Sequence, residues 1–141
     1  MAYTRPLLDV AECMDAVDAI LEAAVEGSRQ PMALAIVDEY GALLAFASMD
    51  GTSPFVREFA IKKAYTAALM RADLKEFGER RQAQGRSVAD YGDPNLVGAT
   101  RGGVVIRRSQ DGHVLGGIGV SGGTPEEDDA VARAGLARLN V

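Results

Sequence analysis

The chain has 141 residues, of which 48% are hydrophobic, one cysteine, and a formal net charge of -5. That length suits one domain with a sizeable core and leaves no room for a second. The acidic balance, with a pI near 4.9 and Lys and Arg only in short pairs, argues against a nucleic-acid or anionic-membrane surface. The lone cysteine excludes an internal disulfide and a Cys-based zinc cluster. With no signal-type or membrane-length apolar run, the expectation is a cytoplasmic chain.

In chain order, Val10, Cys13, Met14, Val17, Ile20, Leu21 and Ala24 recur at helical spacing behind an Asp9 cap with Glu12 three positions on, which predicts an amphipathic helix over 9–27. Cys13 falls on the buried stripe and reads as a small core residue rather than a nucleophile or ligand. Residues 32–37 form a continuous apolar run, short enough for a central strand. Glu39, Tyr40 and Gly41 supply a hairpin turn, and 42–49 returns as the second strand.

The loop 50–54 leads into a second helix over 55–70 that is rich in alanine, which allows close packing. On its wheel Lys63 shares a stripe with Val56, Ala60, Ala67 and Met70, whereas Lys62 lies with Glu58 and Thr66. Lys63 then has two readings: a half-buried ammonium in a pocket, or a lysine that snorkels or pairs with a carboxylate such as Asp50.

A more polar helix over 73–84 is anchored by Leu74 and Phe77 and is expected to cover a sheet edge or a neighbouring subunit. Residues 85–103 read as a long loop with lid or interface duty, and Tyr91 and Arg101 are its most ligand-capable members. A strand over 103–107 and a tight turn over 110–113 follow. The only histidine, His113, sits at that turn, where exposed turn chemistry is the ordinary role, yet it is also the strongest donor here for a metal or haem iron.

The glycine-rich strand from Val114 onward, VLGGIGVSGG, gives up packing and conformational entropy, a cost that marks close backbone approach by another element or a ligand. Gly117, Gly119 and Gly122 match the dinucleotide-binding spacing, but no strand ending in an acidic residue follows, so that reading is set aside. Thr124, Pro125 and Glu127 form a capping box that starts the last helix. At the Gly122–Gly123–Thr124 turn the backbone N–H groups of Gly123 and Thr124 can hold a carboxylate or carbonyl oxygen. Glu126, Glu127 and Asp128 already complement the helix dipole and disfavour a strongly anionic guest. If the second and last strands run in the same direction, Asp50, Lys63 and this turn meet at one pocket at the sheet's end.

The stretches VDEYGALLAFASMDG, AIKKAYTAA and GGIGVSGGTPEEDDAVARAGLARL together resemble the GlcG/HbpS family, also described as the haem-degrading or DUF336 family. The resemblance implies an α/β (α+β) domain with a central antiparallel sheet of about five strands flanked by helices, profilin-like or PAS-like in layout. It also implies homo-oligomers, dimers or higher, and in some relatives a haem or corrinoid-related ligand. Two function classes follow. In a small-ligand-binding protein, Lys63 or Arg101 meets carboxylates, with His113, Met49 or a tyrosine near the iron. In an enzyme of small-molecule catabolism, Lys63 and Asp50 serve as the catalytic pair for acid–base chemistry on a carboxylate or carbonyl substrate. A third class is an accessory oligomer without ligand. The alanine-rich faces, Leu74 and Phe77 are expected to be buried between subunits.

Overall fold

Helix starts follow the capping residues. Asp9 accepts from Glu12 N at 2.7 Å and opens α1, Val10–Gly27. Thr124 accepts from Glu127 N while Glu127 Oε1 accepts from Thr124 N, opening α4, Pro125–Arg138. Ser53 caps α2, Pro54–Met70, through Val56 N, with Pro54 at the first helical position where its missing N–H costs nothing. The computed structural model describes residues 6–141. Its other elements are β1, Ala33–Asp38; β2, Leu43–Ser48; α3, Leu74–Gln84; a 3-10 turn at Val88–Tyr91; β3, Gly103–Arg107; and β4, Val114–Ser121.

The sheet is antiparallel throughout, in the order β2-β1-β4-β3. Among the described residues it has four strands, where the resemblance implies about five, and residues 85–102 form the 3-10 turn and irregular chain. Alternation along the strands divides the molecule into three layers. Leu34, Ile36, Val104, Ile106, Ile118 and Val120 face α1 and α4, where they meet Cys13, Val17, Ile20 and Val131. Ala35 and Val37 face α2, against Ala64 and Ala68.

On the α2 face, β4 presents glycine. A Cβ on Gly117 would lie 2.5 Å from Ala64 O, and one on Gly119 would lie 2.1 Å from Ala60 O. The costly glycines and the alanine-rich helix therefore explain each other: helix backbone rests on strand backbone, and the close approach is made by an element, not by a ligand. This also relocates the expected interface residues. Ala60, Ala64, Ala67, Leu74 and Phe77 are all buried inside the single chain, so they are core and not a face awaiting a subunit.

The long loop is fastened rather than lid-like. Tyr65 Oη donates to Asp93 at 2.6 Å, Val97 N donates to Thr66 Oγ1 at 3.0 Å, and Leu96 and Val97 are buried. At the β3 edge, Val105 N donates to Asp73 Oδ1, which blunts a strand edge that would otherwise be open to pairing. Among the described residues no helix is long and apolar enough to cross a membrane.

Candidate functional site

Lys63 lies on the sheet-facing side of α2, beside Gly119, and its side chain runs toward the end of β4. There Nζ donates to Val120 O at 2.8 Å and to Asp128 Oδ2 at 3.0 Å, with the Phe59 ring centroid 5.4 Å away. Asp128 Oδ1 accepts from Gly123 N at 2.9 Å. Lysine and aspartate are each only 4% exposed. Burial pushes the Lys63 ammonium below the usual lysine value, and the charge of Asp128 beside it opposes that shift. One buried pair thus clamps α2, the last residues of β4 and the first turn of α4. Gly102, at φ +86°, closes over it: a Cβ there would sit 2.7 Å from Nζ.

Above the clamp opens a cleft of about 520 Å³, within the ~300–1,000 Å³ of small-molecule sites. Lys63, Asp128, the Gly122–Gly123 turn and the loop from Gly98 to Arg101 line it. Phe55, Val56 and Phe59 from the start of α2 make the apolar wall. Phe55 and Phe59 stack with centroids 5.3 Å apart and planes 19° apart, yet Phe55 remains 69% exposed. Arg101 is half-buried, and its one hydrogen bond among the described residues runs to Thr100 O, which leaves most of its donors for a guest.

The structure therefore gathers Lys63, Arg101, Gly122 and Gly123 around one cleft, with Thr124 next to it as a cap already engaged with Glu127. It does not gather the rest. Asp50 is exposed and does not line the cleft, and the carboxylate paired with Lys63 is Asp128. The directional condition does hold, because Ser48 of β2 and Ser121 of β4 both pair with Ala33. But β1 lies between those strands, which sets the two ends about 10 Å apart at the usual strand spacing. Tyr91 packs edge-on against Phe77, with the Arg86 guanidinium over its ring, and so holds the loop instead of lining the cleft. His113 precedes β4 while Gly122 follows it, so eight strand residues, roughly 25 Å, separate them. Its Nε2 lies 3.1 Å from Glu39 Oε2, beside Arg71 and Arg107 in a small polar recess. Among the described residues no group of three His, Cys, Asp or Glu side chains is arranged to hold a metal ion.

Asp128 escaped the sequence reading, which assigned it to the helix dipole. The signal was its phase: Asp128, Val131, Ala132 and Gly135 fall on one stripe of α4, and all are buried.

The family described as haem degrading protein HbpS-like matches residues 8–137 of this chain. The chain belongs to that family. It is 33% identical over 129 residues to the corrinoid adenosyltransferase PduO of Salmonella typhimurium, a match that covers 86% of this chain and 37% of PduO. It is 34% identical over 90 residues to protein GlcG of Escherichia coli, covering 64% of this chain and 63% of GlcG. The chain thus spans about a third of PduO and under two thirds of GlcG. Among solved structures, a complex of PduOC with haem superposes with a TM-score of 0.84 at 28% identity, covering 96% of this chain and 97% of that one. HbpS superposes with a TM-score of 0.85 at 30% identity, covering 99% and 95%. Of these relatives, PduOC is the one seen in complex with haem.

Proposed function

We propose that this HbpS-like chain binds a planar, carboxylate-bearing apolar ligand of the tetrapyrrole class, haem or a relative of it, in the cleft above the Lys63–Asp128 clamp. The observation that carries the reading is the stacked Phe55–Phe59 pair, its Phe55 ring 69% exposed, lining the same cleft as Arg101. A stacked aromatic face left in water is costly unless a flat apolar partner covers it, and an under-used guanidinium is suited to a carboxylate. The PduOC complex with haem supports the ligand class.

For haem in particular, the cleft meets two needs of three. Phe55, Val56 and Phe59 suit the ring, and Arg101 suits a propionate. Among the described residues no lining side chain is free to bind iron, since Lys63 and Asp128 are spent on each other. The acid–base alternative loses ground for the same reason, with Asp50 outside the cleft. Titration followed by the ligand's own absorbance tests the reading. Phe55→Ala and Arg101→Ala are each expected to weaken binding about tenfold, near 1.4 kcal/mol, with the melting temperature kept. Unchanged affinity in both variants would remove the cleft from the account.

The homo-oligomer implied by the resemblance also finds a different surface. Edge strand β2 exposes Leu43 (50%), Leu44 (42%) and Phe46 (38%) beside main-chain groups that no strand among the described residues pairs with. A second copy adding its own β2 across a two-fold axis would cover both. Sedimentation of Phe46→Glu should show a smaller species than the parent. A Phe46→Glu species of unchanged size would place the contact elsewhere.

A further inference from the structure

Selectivity within the tetrapyrrole class follows from where the chain keeps its metal-binding side chains, and this rests on the cleft being the tetrapyrrole site. The axial donors that proteins use for haem are His, Met, Cys and Tyr, and among the described residues none of these lines the cleft. Several of the described donors are held elsewhere, and the rest lie outside the cleft lining. His113 lies beyond the opposite end of β4 with Glu39. Tyr65 is bonded to Asp93, Met49 Sδ accepts from Met32 N, and Cys13 is buried among α1 core residues. Met32 comes nearest, reaching the underside of Gly123, but it is 2% exposed and packed into the core on the other face of the sheet. Lys63 cannot substitute, because freeing its amine would strand the Asp128 carboxylate in the interior.

We propose that the cleft recognises the macrocycle through its faces and its carboxylates and leaves the central metal without a protein ligand, so that an iron-free dicarboxylic porphyrin binds as well as its iron complex. The aromatic pair acts on the ring whether or not a metal is present, and Arg101 acts on the carboxylate at its edge. The axial position of a bound metal on the face away from the aromatic pair would then stay open to a small external ligand.

The test titrates the full chain with protoporphyrin and with iron protoporphyrin, following absorbance and, for the metal-free ring, fluorescence. The expected result is dissociation constants within about threefold of each other, both raised by Phe55→Ala and Arg101→Ala. The dimethyl ester of either ring should bind more weakly, and imidazole should coordinate the bound iron without displacing the ring. Iron protoporphyrin binding more than tenfold tighter, with a Soret band of protein-coordinated iron, would overturn the proposal, and loss of that band in His113→Ala would identify the missed ligand. Binding of neither ring would overturn the cleft reading itself. The esters binding as tightly as the acids would overturn the carboxylate half.

Discussion

Replacing Gly119 by alanine is expected to cost about 3 kcal/mol or more, enough to unfold a marginally stable domain at physiological temperature. The added Cβ would lie 2.1 Å from Ala60 O and 2.5 Å from Ala64 N. Both atoms belong to the main chain of α2, so no rotamer change relieves the contact, and the whole helix must lift from the sheet. Lifting it would also draw Lys63 away from Val120 O, since Lys63 is carried on the same turn. Gly27→Ala is the control of opposite sign: the nearest neighbour, Val131 Cγ2, is 3.9 Å from the new Cβ, and the residue ends a helix. There the substitution should gain up to about 1 kcal/mol through lower unfolded-state entropy. Urea denaturation of both variants checks the pair. A Gly119→Ala chain as stable as the parent would show that α2 does not rest on the strand backbone.

Lys63→Met is expected to destabilise the fold by about 3–5 kcal/mol, because it leaves the Asp128 carboxylate buried with Gly123 N as its remaining partner among the described residues. Lys63→Met combined with Asp128→Leu should recover most of that loss, since an apolar pair of similar volume replaces the buried charges. Recovery is the informative result, because it separates an uncompensated charge from a lost packing contact. The pair also sets a pH dependence. The folded chain holds the Lys63 proton less tightly than the unfolded chain, so between the lowered value and the ordinary 10.5 the unfolded state binds more protons. Stability from this group therefore rises with pH across that window, and the slope should vanish in the double variant. A Lys63→Met chain of parental stability that no longer binds ligand would make Lys63 a binding residue and not a clamp.

Much of the fold was legible because local chemistry and tertiary structure agree. Asp9 with Glu12 and Thr124 with Glu127 make the caps that their spacing predicts, and Cys13 is core. What escaped is what depends on partners distant in sequence. The glycines of β4 announced a close approach, but only the topology shows that α2 makes it. Lys63 was recognisable as a lysine on an apolar face, yet its partner is 65 residues on, in a helix whose first turn holds three acids suited to the dipole. Asp50 was the nearer acid in sequence and lies at the same end of the sheet, but β1 intervenes. Leu74 and Phe77 read as surface for a neighbouring subunit because nothing local reveals that Leu74 packs on Gly103 of β3 and that Tyr91 returns to meet Phe77. His113 drew attention by being the only histidine, a property that carries no information about which end of a strand it occupies.

The central claim is that the ligand sits at the β4–α4 end of the sheet, and a crystal structure of the chain grown with iron protoporphyrin tests it most directly. The account predicts the ring against Phe55 and Phe59, a propionate at Arg101, and the Lys63–Asp128 pair intact beneath it. A ring bound instead at the Glu39–His113 end, with His113 on the iron, would contradict it.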